Sequence, residues 1–164
     1  MKKIITTKKE FDKLIKRDKF QVFLFMSKLY IPFNFAVHLW IVTSAKGKID
    51  RWEVWQKKNS NKTSWGYLHK NLVEPSIGIE KYLHKNLPRN NSKIVGYQEG
   101  NENSLAQRII KFLNKNAKNY PFKDKYKLYP GPNSNTFPKW IMKNFPGTKW
   151  KLPWNAFGKN YLKN

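Results

Sequence analysis

The stretch Phe35-Ala36-Val37-His38-Leu39-Trp40-Ile41-Val42-Thr43 decides the fold. It is dense in β-branched and aromatic residues, the composition of a strand. Ser44-Ala45-Lys46-Gly47-Lys48 follows as a turn, and Ile49-Asp50-Arg51-Trp52-Glu53-Val54-Trp55 reads as the returning strand. Together they predict a β-hairpin. If it closes around Ala45–Lys46, Glu53 falls roughly opposite His38, since cross-strand neighbours approach to about 5 Å.

Upstream, Phe20 to Met26 is an apolar run that fits a strand or part of a helix. Periodicity alone does not separate the two. Residues 4 to 19 read as a short basic helix, with Thr7 and Glu10 at capping-box spacing. Downstream, residues 57 to 62 form a polar loop. Residues 65 to 94 read as irregular, punctuated by Gly66, Pro75, Gly78 and Pro88, with a short strand over 93–97. Glu102 to Lys118 is the best helix: Leu105, Ile109, Phe112 and Leu113 share a face, and Asn101 or Asn103 can cap it. Tyr129 to Phe137 is a stiff Pro- and Gly-rich loop leading into a short helix over 135–144. The chain thus divides into a lead-in over 1–19 and a single α+β domain over 20–164.

The 164 residues are 40% hydrophobic and 16% aromatic, which excludes wholesale disorder. The absence of cysteine excludes disulfides, thiolate metal sites and a cysteine nucleophile. Three histidines leave little for a metal centre, and no cofactor motif is present. The net charge is +23. It fits an anionic partner, either nucleic acid or a membrane surface contacted through lysines. It also fits composition drift. Only Arg17, Arg51, Arg89 and Arg108 are arginine, and a chain rich in Lys, Asn and Ile is what an AT-rich genome encodes. No apolar run follows Met1-Lys2-Lys3, and the apolar segment 20–42 is interrupted by Lys28, Pro32, Asn34 and His38. The expectation is a cytoplasmic protein, with peripheral membrane contact left open.

Two places can carry chemistry. His38 is a lone imidazole in the most apolar strand, either a satisfied core histidine or a general base. Ser134 lies in Asn133-Ser134-Asn135 at an expected helix start. Its hydroxyl is either a helix cap or a nucleophile beside free backbone N–H groups. His69 and His84 read as surface residues. Trp40, Trp52, Trp55 and Trp65 read as core or groove wall.

The run Pro130-Gly131-Pro132-Asn133-Ser134-Asn135-Thr136-Phe137, with Tyr120-Pro121, Leu152-Pro153 and Ala156-Phe157-Gly158-Lys159, resembles the signature of an uncharacterised bacterial domain-of-unknown-function family. The early His38-Leu39-Trp40-Ile41 resembles the same family, so the likeness spans about Ala36 to Tyr161. More distantly, the layout is similar to circularly permuted papain-like hydrolases of the NlpC type. In those a strand histidine comes first and a helix-start cysteine follows. The resemblance implies a papain-like fold, with an antiparallel sheet packed against the helix starting near Ser134. It implies a hydrolase or acyl-transfer protein acting on an amide or ester of a peptide, cell-wall fragment or lipid. Ser134 would stand in the nucleophile position and His38 would be the base. Asn133, Asn135 and Trp40 would line the substrate site. A serine hydroxyl, unlike a thiol, needs an active base. Glu53 is then the first choice to orient His38 and Asp50 the second; the alternative for Glu53 is a solvated charge pairing with Arg51 or a lysine. The competing expectation is an inactive papain-like shell that binds a polyanion, peptide or membrane.

Overall fold

The computed structural model describes residues 3–5, 7–30, 32–79, 86 and 92–162. The expected hairpin is present as β3 (Val37–Ala45) and β4 (Lys48–Val54). Its loop is Lys46-Gly47, with φ of 52° and 94°. Two successive positive φ values are what a two-residue hairpin turn demands, and Gly47 supplies one without strain.

The ambiguous run 20–26 is a strand, β2 (Phe20–Lys28), paired with β3 along its whole length. Its first six residues are all buried, so no in–out alternation marks it in the sequence. The remaining described strands are β1 (Lys3–Ile5), β5 (Ser64–Trp65), β6 (Leu68–Lys70) and β7 (Ser92–Gly100). All pair antiparallel in one sheet, in the order β1-β7-β2-β3-β4-β6-β5.

The lead-in differs from expectation. Its helix, α1 (Lys8–Asp12), spans five residues and keeps the Thr7–Glu10 capping box. Before it, β1 adds a strand beside β7, Lys3 against Ile94. Phe11 packs edge-on to Phe23 and Phe25, which ties α1 into the sheet's own core. The lead-in is therefore built into the main sheet.

Alternation along the strands makes two faces. One carries Val22, Leu24, Leu39, Ile41, Trp52 and Val54 and is covered by two helices. These are α2 (Leu105–Asn116), followed by a 3-10 turn over Ala117–Asn119, and α3 (Thr136–Asn144). In α2, Ala106, Ile109, Ile110 and Leu113 recur at helical spacing and are buried. Ser104, not Asn101 or Asn103, caps α2 by accepting from the Gln107 N–H at 3.3 Å. The opposite face carries Phe23, Phe25, Trp40, Val42 and Ile94 under Phe11. This α+β arrangement, an antiparallel sheet with α3 starting just after Ser134, is the expected fold class.

Candidate active site

The hairpin ladder runs from Ala45 and Lys48 to Ile41 and Trp52 and stops there. β3 continues back to Val37, and β4 continues forward to Val54, paired there along its other edge with β6. The strands part at this end, and side chains bridge them in place of backbone. Extending the register sets Glu53 beside Trp40, two residues from the predicted alignment with His38. An even offset keeps the same face, so Glu53 still reaches His38 diagonally.

The bridge is a buried charge cluster. His38 Nε2 lies 3.1 Å from Glu53 Oε2, and Arg51 Nη2 donates to the same oxygen at 2.7 Å. His38, Arg51 and Glu53 are 3%, 2% and 1% exposed. Glu53 is thus paired with Arg51, as one expectation had it, but in the interior and not as a solvated charge. Arg51 Nη1 also donates to the carbonyls of Glu74 and Ile77, and Trp40 Nε1 donates to that of Pro75. Segment 74–77 therefore roofs the cluster. Asp50, the second choice, binds Asn71 and Lys70 instead.

Burial opposes ionisation of Glu53, but the Arg51 guanidinium and the His38 contact outweigh it and hold the carboxyl at about 2. Burial pushes His38 below its ordinary 6.5, against the pull of Glu53. At neutral pH the pair is carboxylate and neutral imidazole. A carboxylate only accepts, so Nε2 carries the proton. The lone pair is on Nδ1, which bonds to no described residue. Trp40 and Trp55 wall the ring, with centroids 5.7 Å away.

The Ser134 loop is stitched together by its neighbours. Asn135 Nδ2 donates to the carbonyls of Val37 at 2.9 Å and Phe157 at 2.8 Å. Asn133 Nδ2 donates to the Leu128 carbonyl, and Asn133 Oδ1 accepts from the Asn135 N–H. Thr136 Oγ1 accepts from the Asn133 N–H and donates to the Gly158 carbonyl. The bond to Val37 fastens this loop to the residue before His38. Ser134 stands apart. Neither its hydroxyl nor its backbone N–H bonds to a described residue, so it is not the helix cap. Asn135 holds the N-cap position of α3, also without a side-chain cap bond.

Ser134 and His38 line one cavity of about 260 Å³. It opens where β3 and β4 part, so it takes walls from both faces: Val37 and Val54 from one, His38 and Trp55 from the other. Asn133 and Asn135 line it too, with their amide nitrogens donating to backbone carbonyls and Asn135 Oδ1 buried without a partner among the described residues. Trp40 does not; it is fully buried behind the imidazole.

His69 is the residue the sequence reading misplaced. It is fully buried, opposite Glu53 across the β4–β6 ladder, with Nδ1 2.7 Å from Ser64 Oγ. The signal was weak because β5 and β6 span only two and three residues. His84 lies outside the described residues.

The family model for DUF3750, described as a protein of unknown function, matches residues 19–161. The chain belongs to the DUF3750 family. The DUF3750 match begins one residue before β2 and takes in His38, Glu53 and Ser134. No curated protein and no solved structure matches the chain. Among the described residues, no helix is long and apolar enough to cross a membrane.

Proposed function

We propose that this DUF3750 protein is a serine-dependent hydrolase or acyl-transfer protein acting on an amide or ester. The observation that carries the reading is the buried Glu53–His38 pair opening on the same cavity as Ser134, whose hydroxyl the loop leaves unbonded. The permuted papain-like layout belongs to this proposal. It is supported by the chain order: strand histidine first, then a reactive-type side chain two residues before a helix that packs on the sheet.

The chemistry follows from the protonation states. Ser134 Oγ attacks the carbonyl carbon as its proton passes to His38 Nδ1. Glu53 stabilises the imidazolium that forms. The free Ser134 N–H donates to the developing oxyanion. As the tetrahedral adduct collapses, the amine or alcohol departs with the proton from His38. Water, or an acceptor nucleophile, then takes the acyl group from Ser134 by the reverse sequence. Asn133 and Asn135 act by holding the loop, and Trp40 by holding the ring.

The test is exposure of the purified protein to a fluorophosphonate, read by intact mass and peptide mapping. One adduct on Ser134, absent from Ser134→Ala, is the expected result. No adduct, or an adduct that survives Ser134→Ala, counts against it. One observation favours a second reading, an inactive binding protein: apart from the loop polar groups, Gln56 and His38, the cavity is lined by apolar and aromatic side chains.

A further inference from the structure

The mouth of the cavity is an aromatic rim. Phe33, Phe35, Leu128, Tyr129 and Trp154 are the large hydrophobics exposed among the described residues. The first four line the cavity, and Trp154 shares the adjoining cleft with Tyr129. The rim is continuous: Phe33 contacts Phe35, and Phe35 and Tyr129 each contact Phe157 edge-on. Asn155 Nδ2 donates to the Phe35 carbonyl at 2.8 Å, joining the Trp154 loop to the same rim. Tyr129 and Trp154 are 73% and 79% exposed. Soluble chains rarely expose a contiguous apolar surface without a partner for it.

Charge identifies the partner. The four rim segments, 28–36, 55–58, 125–130 and 151–157, contain Lys28, Lys57, Lys58, Lys125, Lys127 and Lys151, all exposed, and no Asp or Glu; Asp124, just outside them, is paired with Lys58 and Lys123. Aromatic tips ringed by lysines match the layered chemistry of an anionic bilayer: an apolar boundary below, phosphate headgroups above. A second copy of this chain fits poorly, because each copy brings the same lysines and a net +23. Nucleic acid would use the lysines and stack on the rings, but it gives Leu128 nothing to enter.

We propose that this rim docks the protein on an anionic membrane surface, with Phe35, Tyr129 and Trp154 entering the interface and the cavity mouth facing the lipid. The docking goes beyond the catalytic reading and does not need Ser134. If both hold, the ester or amide is delivered from the bilayer.

The experiment is co-sedimentation with vesicles of phosphatidylcholine containing about 30% phosphatidylglycerol, against pure phosphatidylcholine. The wild type should bind the anionic vesicles, and weaken as salt rises from about 0.1 M to about 1 M. The triple variant Phe35→Ser/Tyr129→Ser/Trp154→Ser alters exposed side chains and keeps the core. It should lose at least about tenfold in affinity. Brominated lipid should quench the emission that distinguishes the wild type from Trp154→Phe. Equal binding by the triple variant overturns the proposal, because charge alone then suffices. So does Trp154 emission that bromolipid leaves untouched, or binding to a single-stranded oligonucleotide with none to vesicles. Ser134→Ala separates the two readings: it should bind vesicles like the wild type while losing the fluorophosphonate adduct.

Discussion

Glu53→Gln isolates the charge at the centre of the cluster while keeping its shape. The carboxylate shares one oxygen between Arg51 and His38, with all three groups inside the protein. Removing the charge leaves the guanidinium buried and without a counter-charge, held by the Glu74 and Ile77 carbonyls and the Trp40 ring beside the neutral amide. Breaking a buried pair in this way costs about 3–5 kcal/mol. A second route gives a similar size. Glu53 titrates at about 2 in the folded chain against 4.5 ordinarily. At about 1.4 kcal/mol per pH unit, that difference is worth about 3–4 kcal/mol. The folded value is depressed, so this stability is fully present above pH 4.5 and is lost as pH falls toward 2. Urea denaturation at 25 °C should therefore show Glu53→Gln about 3 kcal/mol less stable than the wild type at pH 7. The gap should shrink steadily below pH 4.5. A variant within about 0.5 kcal/mol of the wild type at pH 7, the size of an ordinary surface change, would refute the reasoning. A gap that acid leaves unchanged would refute it too.

Three further outcomes follow from the same geometry. Asn135→Ala removes the bonds to the Val37 and Phe157 carbonyls, and should lower stability by about 2–3 kcal/mol in thermal or urea unfolding while slowing Ser134 phosphonylation. Gly158 has φ of +90°, and a Cβ there would lie 2.4 Å from Asn133 Oδ1. Gly158→Ala should therefore displace the Asn133 amide and cost about 1–3 kcal/mol, read in the same assays. Burial keeps His38 neutral below its ordinary 6.5, so the phosphonylation rate should stay level as pH falls from 8 through 6.5 and drop only in more acidic buffer. A drop centred at 6.5 would show an imidazole open to water.

The hairpin was legible because its two strands are rich in β-branched and aromatic residues and flank a Lys-Gly turn. Its exact turn was not. The loop is Lys46-Gly47 and not Ala45-Lys46, but the even offset left His38 and Glu53 on one face. β2 was ambiguous because a central strand buried on both faces carries no alternation. The lead-in looked helical because Phe11 and its neighbours have helical spacing, and nothing local announces that β1 will find β7 about ninety residues later. The same limit hides the cavity. Its walls come from chain-distant segments around Leu29, Val54, Tyr126 and Phe157, which share no motif. Arg51 was legible as a partner for Glu53 two residues on, but only as a solvated one. Its role appears once the Glu74 and Ile77 carbonyls close over it. The Ser134 run was conspicuous in sequence, and helix capping was the simplest use for it. Asn133, Asn135 and Thr136 bind loop and β3 backbone instead, and Ser134 bonds to no described residue.

The central claim is that Ser134 and His38 exchange a proton. The most direct measurement is the pKa of the thiol in Ser134→Cys, taken from iodoacetamide rates across pH, with and without His38→Ala. The account predicts a thiol well below the ordinary value of about 8.5 in the single variant, returning toward it when the imidazole is removed. The same thiol pKa in both proteins would contradict it.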